Sequence, residues 1–418
     1  MICSTPQTGF EMSRRVLFTA LVLVAIVAGA TTRAQKAATR AAVDARIATA
    51  LERNHIPGAV ALAVNKSRTL YRTALGVADL STRRPMTADA IFRIASMTKP
   101  VTSVAALQLI ERGRISLDAP VSKYLPELSG LSVFESFDSA SGAYTVRPVR
   151  RPITLRNLLT HTSGLGYNFT SATVRDFKPR DGERYSAGPL LFEPGERWHY
   201  GTSTDWVGRL VERISGQKLD AYFADHVFRP LRMRDTYFNV PADKQGRLVS
   251  IHRRETDGTF VVQPAAQPVP VTEFNGGGGL FSTADDYARF LRMLLNDGEL
   301  DGARVLSSAS VAMMSRDQLG GKGVPALKTA MPERSADFTF INHGRDGFGL
   351  GFLITAVAIP GKRSAGSLSW GGINNTLFWL DPHRDVGGIL LMQFLPFVEP
   401  TALDVLDTFE RGVYELIR

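Results

Sequence analysis

In the segment FRIASMTKPV, residues 92–101, Ser96 stands three residues before Lys99. Side chains three apart on a helix share a face, so a helix opening at Ser96 brings the lysine amine within reach of the serine hydroxyl. An amine so placed can receive or relay the hydroxyl proton, and a helix N-terminus favours the alkoxide left behind. The chemistry that follows is attack of serine on a carbonyl carbon. Spacing alone does not decide the matter, because Ser215 and Lys218 in SGQK repeat it where Ser215-Gly216 reads as an ordinary helix end.

The surrounding pattern predicts the elements that hold the pair. VTSVAALQLIERG, after Pro100, is apolar nearly all round and reads as a buried helix, with proline tolerated in its first turn. Upstream, Val43, Ile47 and Leu51 recur at helical spacing, and GAVALAVNKSRTLYRTALGVADL reads as two strands about a polar turn at Asn65–Arg68. From about Leu117 to Leu295 the chain reads as helical and loop-rich, with helices at LRNLLTH, STDWVGRLVERISG and TADDYARFLRMLLNDG. Strand alternation returns in FGLGFLITAV, SLSWGG, NTLFWLDP and DVGGILLMQF, before a last amphipathic helix using Leu403, Leu406, Phe409, Val413 and Leu416. Strands at both ends and helices between them predict an α+β fold, an antiparallel sheet from both chain ends with a mostly helical insert. The expected sheet portion is about 35–95 and 345–418, the helical portion about 96–345, and the site falls where they meet.

The 418 residues, 44% hydrophobic, are enough to bury a large core. Residues 12–35 begin with Arg14 and Arg15, continue through an apolar run from Val16 to Ala28 and end in small residues, the three-part pattern of a secretory signal. The expected product is periplasmic or secreted, with residues 1–34 removed near Ala34; an uncleaved segment would be a membrane anchor. Cys3, the single cysteine, lies before that segment, so the remainder holds no disulfide and no thiol nucleophile. The net charge of +9 is carried by scattered arginines without a basic block, which argues against nucleic acid. No H-E-x-x-H occurs and the seven histidines are dispersed, so neither a metal nor another cofactor is expected.

Five segments in order, SMTK, ITLRNLLTHTSGL (153–165), PGERWHYGTSTDWVGRLVERISG (194–216), GGGGLFSTADDYARFL (276–291) and SWGGINNTLFWLDP (369–382), together resemble the serine β-lactamase-like family. That family includes class C β-lactamases, D,D-peptidases and family VIII carboxylesterases. The resemblance implies Ser96 as nucleophile, Lys99 as the group that takes or relays its proton, and Tyr200 as acid and base. A phenol with a pKa near 10 serves as a base only beside cations that lower it, and Lys99 is the obvious one. By the same resemblance the backbone N–H groups of Ser96 and Ile373 form an oxyanion hole, with Gly371 and Gly372 letting backbone approach substrate.

Two departures concern recognition. Where class C enzymes begin the third motif with lysine, this chain has Trp370, whose broad apolar face suits a neutral group. Where they have asparagine after the second-motif tyrosine, it has Thr202; Gly208, eight residues after Tyr200, also resembles the esterase branch. Lys328-Thr329 mimics the missing lysine motif by coincidence, while Arg363 or Lys362 could replace the lost cation. Tyr167, Phe169, Phe274 and Trp370 are candidate pocket residues. The favoured expectation is a serine hydrolase of short-chain carboxylic esters with weak β-lactam turnover. The alternatives are a class C-like β-lactamase or D,D-peptidase, and a non-catalytic binding protein. An α/β-hydrolase is excluded by the lack of any G-x-S-x-G, and His161 reads as structural.

Overall fold

A computed structural model describes Met1 and residues 39–263, 269–339, 342 and 344–418. The signal-like segment at 12–35 lies outside the described residues. The chain begins its described course with α1 (residues 39–53), followed by β1 (Gly58–Val64), β2 (Thr69–Asp79) and β3 (Arg84–Pro85). The helical portion contains α2 (Thr98–Glu111), α3 (Ser203–Ser215) and α4 (Ala284–Leu295). Strands β4 (Gly347–Phe348), β5 (Leu353–Ile354), β6 (Leu368–Gly372), β7 (Thr376–Asp381) and β8 (Val386–Leu391) then lead to α5 (Pro400–Leu416).

These eight strands form one antiparallel sheet in the order β4-β5-β6-β7-β8-β1-β2-β3. Its centre joins the two ends of the chain, Val60 lying opposite Leu391. β1 is buried along its whole length. Val60, Leu62 and Val64 face one core with α2 and α4, whereas Ala59, Ala61 and Ala63 face a second with α1 and α5. Side chains alternate across a strand, so one strand serves both layers, and the alanines keep its α1/α5 side shallow. Val43, Ile47 and Leu51 of α1 fill that side as their spacing predicts.

α5 uses a slightly different stripe from the one read in sequence: Ala402, Val405, Phe409 and Val413 enter the core, while Leu403 and Leu406 lie on the flank, partly buried. FGLGFLITAV is not one strand. Gly351, at φ +102°, interrupts it against the Ser103 side chain and leaves the short pair β4 and β5. The middle of the chain also contains strand pairs that the pattern did not suggest, the hairpin Ser132–Phe137 with Tyr144–Pro148 and the small sheet of His252–Arg254, Phe260–Val262 and Phe394–Leu395. Among the described residues, no helix is long and apolar enough to cross a membrane.

Candidate active site

Ser96 sits in a 3₁₀ turn, Ala95–Met97, that runs directly into α2. Four bonds hold this turn from different directions. Ile94 N donates to Leu280 O at 3.1 Å, Leu280 N to Thr98 Oγ1 at 3.1 Å, the Tyr287 hydroxyl of α4 to Met97 O at 3.0 Å, and Thr376 Oγ1 of β7 to Ile94 O at 3.2 Å. Ala95 adopts φ +43°, the left-handed region. Such a conformation in a residue other than glycine costs on the order of 1–3 kcal/mol and persists only where the surroundings over-determine it. At the end of β6, Gly372 comes so close that a Cβ there would stand 2.2 Å from Ile94 O. The absence of a side chain therefore brings the strand edge beside the nucleophile turn.

Ser96 Oγ accepts from two donors, Lys99 Nζ at 3.1 Å and the Tyr200 hydroxyl at 2.6 Å. The elements bring all three residues together from positions 104 residues apart in sequence. Lys99 is 1% exposed, and burial of an ammonium requires partners. It donates to Gly277 O at 2.6 Å and to the Tyr167 hydroxyl oxygen at 3.2 Å, and lies 4.9 Å from the Tyr200 ring centre. Three donors meet three acceptors.

The glycine loop around 276–279 is clamped between α2 and α3. Thr102 Oγ1 donates to Gly276 O at 2.6 Å, and Gly277 N donates to Asp205 Oδ1 at 2.9 Å. On the other side Gly208 of α3 meets Gly276 backbone to backbone: a Cβ on Gly208 would approach Gly276 Cα to 3.0 Å. The eight-residue spacing from Tyr200 to Gly208 thus marks a packing contact. Burial raises the Asp205 carboxyl above its usual range, opposed by Lys99 and the Gly277 amide. Burial, reinforced by Asp205 and Tyr200, raises the Tyr167 phenol well above its ordinary value. Tyr167 therefore stays a neutral donor toward Asp205, 3.5 Å away.

His161, the residue that tempts one to a serine–histidine pair, packs edge-on to Tyr200 with ring centres 4.9 Å apart. Burial, with Lys99 and His199 adding repulsion, holds its pKa well below the usual value. It is a neutral wall behind Tyr200.

Ser96 and Tyr200 open into a cavity of about 480 Å³ whose walls include Phe169, Trp370, Gly371 and Ile373. Trp370 packs against the Tyr200 ring at 5.1 Å. The other expected pocket residues fall elsewhere. Tyr167 stacks on Phe169 and turns its hydroxyl to Lys99; Phe274 packs on Phe238 at 5.0 Å; Thr202 caps α3 without a side-chain bond. Gly372 supports the nucleophile turn. The two candidate replacement cations do line the cavity, but both are engaged: Arg363 makes a two-pronged pair with Glu410 at 2.8 Å, and Lys362 pairs with Asp407 at 2.7 Å. Lys328 pairs with Asp337 on the surface, and Ser215 accepts from Gln217 N at the end of α3. Glu193 is tied to Arg147 and the Arg150 amide. No group of three or more His, Cys, Asp or Glu among the described residues could hold a metal.

Sequence reading gave no role to Asp205 or to the glycines at 276–279, although both lie in segments that carry the resemblance. The available signal was an acid in the first turn of α3, five residues after Tyr200, together with four consecutive glycines at 276–279.

This geometry, a serine held by a buried lysine and a tyrosine between a sheet and a helical layer, defines an acyl-transferring serine hydrolase. The sequence profile of the Beta-lactamase family matches residues 43–408, and the chain belongs to that family. It is 33% identical over 394 residues to a monacolin J acid methylbutanoyltransferase of Aspergillus terreus, covering 87% of this chain and 93% of that one. It is 31% identical over 401 residues to a lovastatin esterase of Penicillium rubens, covering 89% and 98%. Among solved structures, a mutant simvastatin synthase from Aspergillus terreus superposes with a TM-score of 0.78 at 30% identity, covering 91% of this chain and 97% of that chain. A class C β-lactamase shares the fold at a TM-score of 0.62 and 18% identity, covering 91% and 97%.

Proposed function

We propose that this enzyme cleaves carboxylic esters through an acyl-enzyme on Ser96, with short acyl esters as its minimal substrates. The observation that carries the reading is the Ser96–Lys99–Tyr200 contact set opening on a largely apolar cavity whose described cations, Lys362 and Arg363, are already paired. A neutral ester needs no counter-ion, whereas a β-lactam carboxylate would have to compete with Asp407 or Glu410 for one.

In the proposed cycle the Ser96 proton passes to the Tyr200–Lys99 pair, acting together as general base, as Oγ bonds to the ester carbonyl carbon. The tetrahedral oxyanion is assigned to the Ser96 and Ile373 N–H groups. As the carbon–oxygen bond to the alcohol breaks, Tyr200 returns the proton to the departing oxygen. A water, or a second alcohol, then gives its proton to Tyr200 as it attacks the acyl carbon, and Tyr200 passes that proton to Ser96 Oγ as the acyl–serine bond breaks. Transfer to an alcohol finds support in the relative named as a methylbutanoyltransferase, and transfer to water in the one named as an esterase. Export to the periplasm or medium is part of the same proposal, on the pattern of residues 12–35.

The test is kcat/KM on p-nitrophenyl butyrate and on a chromogenic cephalosporin, with and without an added alcohol, using Ser96→Ala as control. Strong ester turnover, lost in the variant, with little cephalosporin turnover supports the proposal. The reverse ranking would replace it with a β-lactamase, and inertness toward both, with Ser96 unlabelled by a phosphonate, with a binding protein.

A further inference from the structure

The cavity does not stop at the serine. From Ser96 and Trp370 it passes Gly371 and continues across the α5 side of the sheet edge to Leu403 and Leu406, where Lys362–Asp407 and Arg363–Glu410 form its far wall. In register, Ser369 and Gly371 of β6 lie opposite Trp379 and Leu377 of β7, so these positions share the face that looks toward α5. At the passage itself the side chain is missing. A Cβ on Gly371 would stand 2.6 Å from Leu377 Cδ2 and 3.3 Å from Phe397 Cε2, so a side chain there would push into two residues that line the cavity.

The helix supplies the second observation. Five residues of α5, Ala402, Val405, Phe409, Val413 and Tyr414, lie in the core beneath it; Leu406 packs partly buried against that core, and it and Leu403 also line the cavity. A volume near 480 Å³ falls within the range of roughly 300–1,000 Å³ that encloses drug-sized ligands. That is far more than an acetyl or butyryl group occupies.

We infer that this passage is a subsite for one long apolar arm of the ester, of medium alkyl-chain size, lying past Gly371 against Leu403 and Leu406. The inference rests on the ester reading above and adds the substrate class. A chain of this kind gains from burial along its length, and the charged lining residues on the α5 side, Asp404, Asp407, Glu410, Lys362 and Arg363, set an upper limit on its length. Each buried methylene contributes up to about fourfold in binding. The long arm belongs either to the acyl group or to the alcohol.

Two ester series separate these cases: p-nitrophenyl esters from acetate to dodecanoate, and butyrate esters of straight-chain alcohols from ethanol to decanol. Each is run on the full chain and on Leu406→Trp and Leu403→Ser, with thermal melts to verify folding. The expected result is a kcat/KM that rises at least tenfold toward C8–C10 in one series. That long-to-short ratio should fall at least tenfold in Leu406→Trp, which blocks the groove, and severalfold in Leu403→Ser, which makes it polar. A rise in the first series assigns the arm to the acyl group, and a rise in the second to the alcohol. Ester turnover without a length preference in either series overturns the subsite, as does a preference that both folded variants retain. Absence of all ester turnover, with Ser96 unreactive to a phosphonate, overturns the ester reading and the subsite together.

Discussion

The Asp205 carboxylate accepts the Gly277 N–H on one oxygen at 2.9 Å and faces the Tyr167 hydroxyl with the other at 3.5 Å, while the Gly277 carbonyl and the Tyr167 hydroxyl both contact Lys99 Nζ. Two of the three lysine contacts therefore depend on one acid that never touches the serine. Tyr167→Phe removes a hydrogen bond to a charged group, an interaction worth about 1.5–3 kcal/mol. The expected loss in kcat/KM is roughly 10- to 100-fold, with the serine still reactive toward a phosphonate.

Asp205→Asn keeps an acceptor for Gly277 and removes a charge. Since burial raises the folded-state pKa of this acid, its ionisation opposes folding: stability declines as pH rises through the raised value and is greater below it. The asparagine variant should lose this part of the pH dependence, so at neutral pH it should melt no lower than the parent while turning over ester more slowly. Thermal melts from pH 4 to 8, paired with rates, check both halves.

Two histidines act with the opposite sign. Burial depresses His161 well below its ordinary value and lowers His199 to about 4. Above about pH 6.5 both are neutral folded and unfolded; below it the unfolded chain gains protons that the fold refuses, so stability falls at up to about 1.4 kcal/mol per pH unit for each group. Replacing His199 with Gln should flatten the decline in melting temperature between pH 6.5 and 4. An unchanged slope would place the acid sensitivity elsewhere.

Tyr200→Phe should cost on the order of 100-fold or more, the usual range for a positioned acid–base group. Ser96→Ala should cost about 10⁴-fold or more, as nucleophile deletions do, whereas Ser215→Ala should retain full activity. If Tyr200→Phe turns over normally, the proton acceptor is Lys99.

Gly372→Ala tests the strand edge. Its new Cβ would stand 2.2 Å from Ile94 O, a backbone atom fixed by Thr376 and Met97 N. The nucleophile turn must move, and ester turnover should fall by at least tenfold even where circular dichroism shows an intact fold.

The elements around the serine were legible because local signals coincided. Pro100 in a first turn and the nearly all-round apolar run that follows it in α2 mark that element without reference to the rest of the chain. The antiparallel sheet from both chain ends followed from strand periodicity at either end. What escaped depended on distant partners. Asp205 is an unremarkable acid in a helix first turn until the glycine loop is folded onto it, and Phe274 reads as a pocket aromatic until Phe238 lies against it. The loop containing Lys362 and Arg363 looks like a solvated turn; only the return of α5 shows that its cations are spoken for.

β1 has its central place in the sheet only when β8 lies beside it, Val60 against Leu391. During synthesis the ribosome must deliver more than three hundred residues after β1 before that pairing can close. The serine turn, tied to Thr376 and edged by Gly372, has no scaffold until then. A nascent or truncated chain therefore carries its nucleophile in an unassembled state, and acyl-transfer competence begins only once the last strands have been made.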